Sequence, residues 1–296
     1  MPPIMGAAAF VVAEYVGIPY IIVCLHAAIP AILYYAALFF MVDFEARRRG
    51  LRGLPKEKIP DAKKSILNYG HMFISLIILL YVMIIGYTAT MAGVMAVISA
   101  YLISFLRKAT RLGVRRLLKA LEAAAKMAAS VAAACAGAGL IIGVLDITGL
   151  GLKFSSIITK IAGGNLIVLL ILLMVTAIIL GMGMPTTAAY ITVAVIMVPA
   201  LLELGVSPLV AHMFAFYYAC LSLYTPPVAT ASYVAAGIAG ADAMKTGITS
   251  MMLGSSLLIV PFMFVFAPSL LFVGAPLEIL LTLFTSIVGV AALGGA

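Results

Sequence analysis

NLIVLLILLMVTAIILGMGMPTTAAYITVAVIMVPALLE, residues 165–203, carries no charge before Glu203 and is interrupted once, at Gly181-Met-Gly-Met-Pro-Thr-Thr187. An apolar run of this length belongs in hydrocarbon, where about 20 such residues cross a bilayer as a helix. Two glycines and a proline within seven residues unwind that helix. In hydrocarbon, backbone groups released by a break must find partners in protein, water or ligand. The stretch therefore predicts a discontinuous membrane helix whose break lines a cavity. Pro185 is read as opening the second half-helix, with Thr186 and Thr187 adding hydroxyls.

The rest of the chain agrees. Its 296 residues are 65% hydrophobic and only 9% charged, and the mean hydropathy is +1.25. Soluble domains keep roughly 25% charged residues. The reading is an all-α integral membrane protein, a multi-span helical bundle with about eight to ten crossings or half-crossings. Trp is absent, so interfacial aromatic belts rest on the 13 Tyr. Cys24, Cys135 and Cys220 are far apart in apolar stretches, which reads as small buried side chains rather than disulfide or metal. The net charge of +8 is concentrated: eight of 18 Lys and Arg lie between Arg47 and Lys64, and seven between Arg107 and Lys126. Such clusters between apolar spans follow the positive-inside rule, not nucleic-acid binding. Both chain ends, Met1-Pro-Pro-Ile-Met-Gly6 and Ala291-Ala-Leu-Gly-Gly-Ala296, are read as those of a fragment.

Along the chain, residues 4–16 form a short apolar arm, and 20–42 a span kinked at Pro30. Residues 43–64 form a basic loop. Residues 65–126 hold two spans, joined near Tyr87–Gly93, and a second basic loop. Two crossings separate the loops, so both face one side, the cytoplasm. Residues 127–148, rich in Ala and Gly, suit close helix packing. Residues 152–163 place Phe154, Ile157, Ile158 and Ile161 on one face, away from Lys153 and Lys160, as an interfacial helix does. Residues 246–266 are read as a span containing Pro261, and 267–296 as a last span kinked near Pro276.

A second break lies at Ser222-Leu-Tyr-Thr-Pro-Pro227, between the short apolar arms of a re-entrant hairpin over 208–240. Thr225 is read as capping the outgoing arm and Pro226 as starting it; Thr230 and Ser232 follow. The outgoing arm then directs its positive dipole end at the turn, and the incoming arm its bare carbonyls. An anion site beside a cation site results. Of the acids in or near apolar segments, Glu14, Asp146, Glu203 and Glu278, only Glu14 is a functional candidate; the others suit segment ends. His26, His71 and His212 lack a carboxylate within helical reach and read as packed side chains. No HExxH, GxSxG, Walker A or GxGxxG motif occurs, so nothing argues for an enzyme.

Pro2-Pro3-Ile-Met-Gly6 and the residues to Ala13 echo Pro226–Ala236 with one gap. Interrupted segments in two halves point to a transporter site at a repeat interface. Gly181-Met-Gly-Met-Pro-Thr-Thr-Ala-Ala-Tyr190, Ala211-His-Met-Phe-Ala-Phe-Tyr-Tyr218, Thr225-Pro-Pro-Val228, Ala236-Gly-Ile-Ala-Gly240 and Pro261-Phe-Met-Phe-Val265 resemble the large membrane subunit of TRAP transporters. Pro2–Glu14 and the loop Glu45–Gly53 resemble its fused-permease branch, which works with TAXI-type binding proteins.

The resemblance implies a sodium-coupled importer of carboxylates, such as dicarboxylates and keto acids, in the cell inner membrane. It implies two inverted repeats, each with a re-entrant hairpin, and an elevator movement. Residues 1–42 would be the remnant of the first repeat and 127–266 the second. The site would comprise Pro2, Pro3, Gly6, Gly181, Gly183, Pro185, Thr186, Thr187, Ser222, Thr225, Pro226, Pro227 and Thr230, with Na+ near Ser222 and Thr225. Expected partners are an extracytoplasmic TAXI-type binding protein, the missing N-terminal or small-subunit helices, the organic anion and the bilayer. No other cofactor is expected. An ion channel or a polytopic membrane enzyme is the alternative; sodium dependence of uptake separates a carrier from both.

Overall fold

The computed structural model describes residues 7–51, 53, 61–108 and 110–295. Pro2, Pro3 and Gly6 lie outside the described residues. The chain divides into two compact units, residues 1–49 with 131–296, and residues 50–130.

The larger unit begins with α1 (Ala7–Val16), which ends at Gly17, a left-handed residue with φ +73°. The chain then bends by 103° into α2 (Tyr20–His26). Next comes α3 (Ala28–Arg48), after a break at Ala27. The expected kink at Pro30 is thus a break three residues earlier, with Pro30 buried in the first turn of α3. Pro30 has no N–H for the carbonyl of His26, but first-turn amides have no helical acceptor anyway. Starting a new helix is therefore the least costly way to hold it. The Nδ1 of His26 lies 2.5 Å from the Leu271 carbonyl.

In the smaller unit, Asp61 caps α4 (Ala62–Tyr69) by accepting the amides of Lys63 and Lys64. A 3-10 turn over Gly70–Met72 leads into α5 (Phe73–Ile84). Thr88 caps α6 (Ala89–Ser104), which packs along α5. His71 meets the Thr110 hydroxyl at 3.0 Å. The second basic stretch, expected as a loop, is helical from Val114: α7 (Val114–Thr148) has residues in both units. Its Arg, Lys, Leu, Ala and Glu are strong helix formers, and Lys126 bonds Glu122 at 2.6 Å one turn away.

The remainder of the larger unit is built around one helix. α8 (Leu150–Ala162) and α9 (Leu166–Gly181) pack on α10 (Thr186–Glu203), as do α11 (Pro208–Leu221) and α1. Tyr190, Met197 and Leu201 of α10 are fully buried. Gly151 lets α8 approach, since a Cβ there would stand 3.2 Å from Val195 Cγ1. Phe154, Ile157 and Ile161 of α8 face outward. α12 (Thr230–Ala239) packs on α13 (Ala243–Leu253).

The single span expected over 246–266 is two helices. α13 stops at Leu253, a 3-10 turn covers Ser255–Leu258, and α14 (Val260–Phe266) continues after a 57° bend. Pro261 lies in the first turn of α14, and Pro276 begins α15 (Pro276–Gly295) instead of kinking it. α15 packs on α3. Among the described residues four helices are long and apolar enough to cross a membrane, or up to six if each bent pair is one span. The chain is an all-α, multi-pass membrane protein. α1 and α12 share a pattern: ten residues, a left-handed glycine (Gly17, Gly240), then a broken helix.

Candidate functional site

At the first break, α9 ends at Gly181, Met182 is extended, Gly183 is left-handed at φ +74°, and α10 starts after Pro185. The cause is chemical. The carbonyl of Gly181 would receive its helical bond from the amide four residues on, and that residue is Pro185, which has none. It receives only a 3.3 Å bond from the Met184 amide. The second break repeats this arrangement. Ser222 stands four residues before Pro226, and its carbonyl receives a 3.4 Å bond from the Thr225 amide. A carbonyl oxygen has two lone pairs, so both retain acceptor capacity.

These two breaks, 41 residues apart in sequence, meet in space. A Cβ placed on Gly181 would lie 2.6 Å from Ser222 Oγ and 2.8 Å from Ser222 Cβ. One placed on Gly183 would lie 3.3 Å from Val228 Cγ1. Gly181 and Ser222 are buried and Gly183 is exposed. The pair of breaks thus forms one centre that runs from the protein interior to its surface.

Within it, the hydroxyls of Ser222 and Thr225 donate to the carbonyls of Ala219 at 2.8 Å and Leu221 at 3.0 Å. Thr225 therefore serves the end of the incoming arm and does not cap the outgoing one. The outgoing arm, α12, starts at Thr230 behind Ala229, with no side-chain cap, four residues later than expected. Two facts account for this. The last carbonyls of α11 are orphan acceptors that nearby hydroxyls can satisfy, and consecutive prolines hold the residues before them away from helical geometry. Pro185 likewise stands as the N-cap of α10, one residue before the helix. Thr186 and Thr187 fall in the first turn of α10, with Thr187 buried; Thr230 and Pro227 are exposed.

A third broken helix closes the centre. Gly247 of α13 would place a Cβ 3.5 Å from Pro226 Cγ, and Gly254 would place one 2.8 Å from the Tyr224 ring. The Tyr218 hydroxyl donates to the Leu258 carbonyl at 2.5 Å. The hydroxyls of Tyr224 and Ser256 are buried without a hydrogen-bond partner. Gly254-Ser255-Ser256, a glycine followed by two hydroxyls within an apolar run, is the signal from which this break was legible. Also missed was the buried pair Tyr190–His212, bonded at 2.8 Å between α10 and α11, with the Tyr15 ring 5.9 Å from the imidazole. The partner of His212 is a phenol on another helix, so a search for nearby carboxylates passes over it. Glu14 is exposed on α1.

Chemically, the centre offers carbonyl and hydroxyl oxygens, the donors that suit a hard cation. Among the described residues no group of three His, Cys, Asp or Glu converges on a point. The family model described as "Tripartite ATP-independent periplasmic transporter, DctM component" matches residues 1–279. No curated protein matches the chain.

Proposed function

Because this chain belongs to the DctM component family of tripartite ATP-independent periplasmic transporters, a family of transporter permeases and not of enzymes, we propose that it imports an organic anion, a carboxylate, together with Na+. A tripartite system includes a substrate-binding protein; in this reading it is an extracytoplasmic, TAXI-type protein that hands the anion to the membrane subunit. The chain works in the inner membrane with its basic stretches cytoplasmic, alongside further membrane helices, and carries its cargo by an elevator movement.

The observation that supports this reading best is the meeting of Gly181 with Ser222. Each carries a carbonyl that a proline four residues on deprives of its helical bond. Two such oxygens beside the hydroxyls of Ser222 and Thr225 make a cation site, and Na+ bound there would favour a carboxylate next to it. Gly183, Pro185, Thr186, Thr187, Pro226, Pro227 and Thr230 frame the site. Pro2, Pro3 and Gly6 are the corresponding proposal for the amino-terminal arm.

The test is uptake by the complete transporter, reconstituted with and without its binding protein and titrated with Na+. Thr225→Val keeps the volume and removes one oxygen. It is expected to raise the sodium half-saturation several-fold and to weaken substrate affinity in step, since coupling between two bound ligands is reciprocal. Unchanged sodium and substrate dependence, or equal uptake without the binding protein, refutes the reading.

A further inference from the structure

The two basic stretches carry their charge differently. In the first, Arg47, Arg48 and Arg49 each pair with Asp43 or Glu45 one turn back, at 2.9, 3.7 and 2.6 Å. In the second, Arg107, Lys108, Arg111, Arg115, Arg116 and Lys119 are all exposed, and none of them has an ion pair among the described residues. No Asp or Glu occurs between Asp61 and Glu122. Asp61 caps α4, and Glu122 is taken by Lys126. Six cations close together in sequence thus stand uncompensated among the described residues.

They lie where α6 ends and α7 begins. Arg107 Nη1 donates to Asn68 Oδ1 at 3.3 Å, and the Arg111 guanidinium lies over the Phe105 ring, 5.5 Å from its centroid. A guanidinium has five N–H donors, so both side chains are held in place and keep donors to offer. Apolar side chains are exposed between the charges: Phe105 and Leu106 before Arg107, then Val114, Leu118 and Leu121. Helical spacing puts Val114, Leu118 and Leu121 on one stripe of α7, and Arg115, Arg116 and Lys119 off it. A basic face beside an apolar stripe suits the boundary between lipid headgroups and acyl chains. A free phosphate, a nucleotide or an acidic peptide would use the charges and leave the stripe in water. A phospholipid uses both.

We propose that residues 105–121 form a binding surface for anionic phospholipid, with the headgroup phosphate on the unpaired cations and the acyl chains against the exposed apolar side chains. Arginine meets phosphate oxygens through paired N–H donors, and each cation near an anionic membrane surface adds to the attraction. The arginines of the first stretch, already paired within their own helix, take no part.

The test is titration of the purified chain in detergent with phosphatidylglycerol and phosphatidylcholine that carry the same fluorescent acyl chain. Phosphatidylglycerol is expected to bind at least about tenfold tighter, and the preference should shrink as salt is raised. Changing Arg111, Arg115, Arg116 and Lys119 together to Gln should abolish it, and changing the three arginines to Lys, which keeps the charge, should retain most of it. Arg47, Arg48 and Arg49 changed to Gln should leave it intact. Circular dichroism and gel filtration check that each variant folds. Equal affinity for the two lipids, or a preference that survives in the four-Gln variant, overturns the proposal. So does equal loss in the variant of the first stretch, or displacement of the lipid by free glycerol phosphate at equal concentration.

Discussion

Gly181 has no room for a side chain. A methyl group there would press on Ser222 at less than 3 Å, so Gly181→Ala forces either the end of α9 or the turn to shift. Overpacking of this kind costs about 1–3 kcal/mol. The variant is expected to melt at a lower temperature in detergent, and Ser222→Gly in the same chain should recover part of the loss. Ser222→Ala should not, because the Ser222 Cβ is itself within 2.8 Å. Absence of rescue by Ser222→Gly would show that the two positions do not touch. Tyr190→Phe removes the 2.8 Å bond to His212 and leaves the imidazole nitrogen buried alone. About 1–3 kcal/mol of stability should go with it, read by thermal unfolding; an unchanged melt would mean that water replaces the phenol. Both breaks were legible from residue types, the first from its two glycines and Pro185 and the second from Pro226-Pro227, because Gly and Pro act on the backbone locally. That Gly181 faces Ser222, and Tyr190 faces His212, was not, because helix packing sets those partners.

Prolines decide where the elements of this chain start. Pro30, Pro261 and Pro276 each stand in or at the first turn of a helix, although a pattern reading places them as kinks within spans. Hydropathy registers the apolar run and not the break ahead of the proline, so three span boundaries were misread while the helical class was plain. The same residue type has a second effect at Pro185 and Pro226, where it withholds an amide from the carbonyl four residues back. Pro185→Ala returns that amide to Gly181 and extends α9 toward α10. On the sodium coupling proposed above, the expected result is a several-fold rise in the sodium half-saturation of uptake, with protein level nearly unchanged. A sodium titration that superimposes on the parent's would exclude the Gly181 carbonyl as a cation ligand.

Across the whole molecule, charge is the coarse guide. Fifteen of 18 Lys and Arg lie in the two basic stretches, and a cytoplasmic placement of both is expected. Cysteines at Gly53 and Gly113, in a chain otherwise free of reactive thiols, should resist an impermeant maleimide in intact cells and react after permeabilisation. Labelling of either from outside reverses the topology. The larger unit bears a different consequence, one of kinematics. Three interrupted helices share the centre around Ser222, and the joint between α9 and the turn has less clearance than a methyl group. A joint without clearance transmits displacement and absorbs none. The segment ending at Gly181 and the turn at Ser222 are therefore expected to move as one body, and a pair of spin labels carried by α9 and α11 should read one constant separation under every condition in which uptake is assayed.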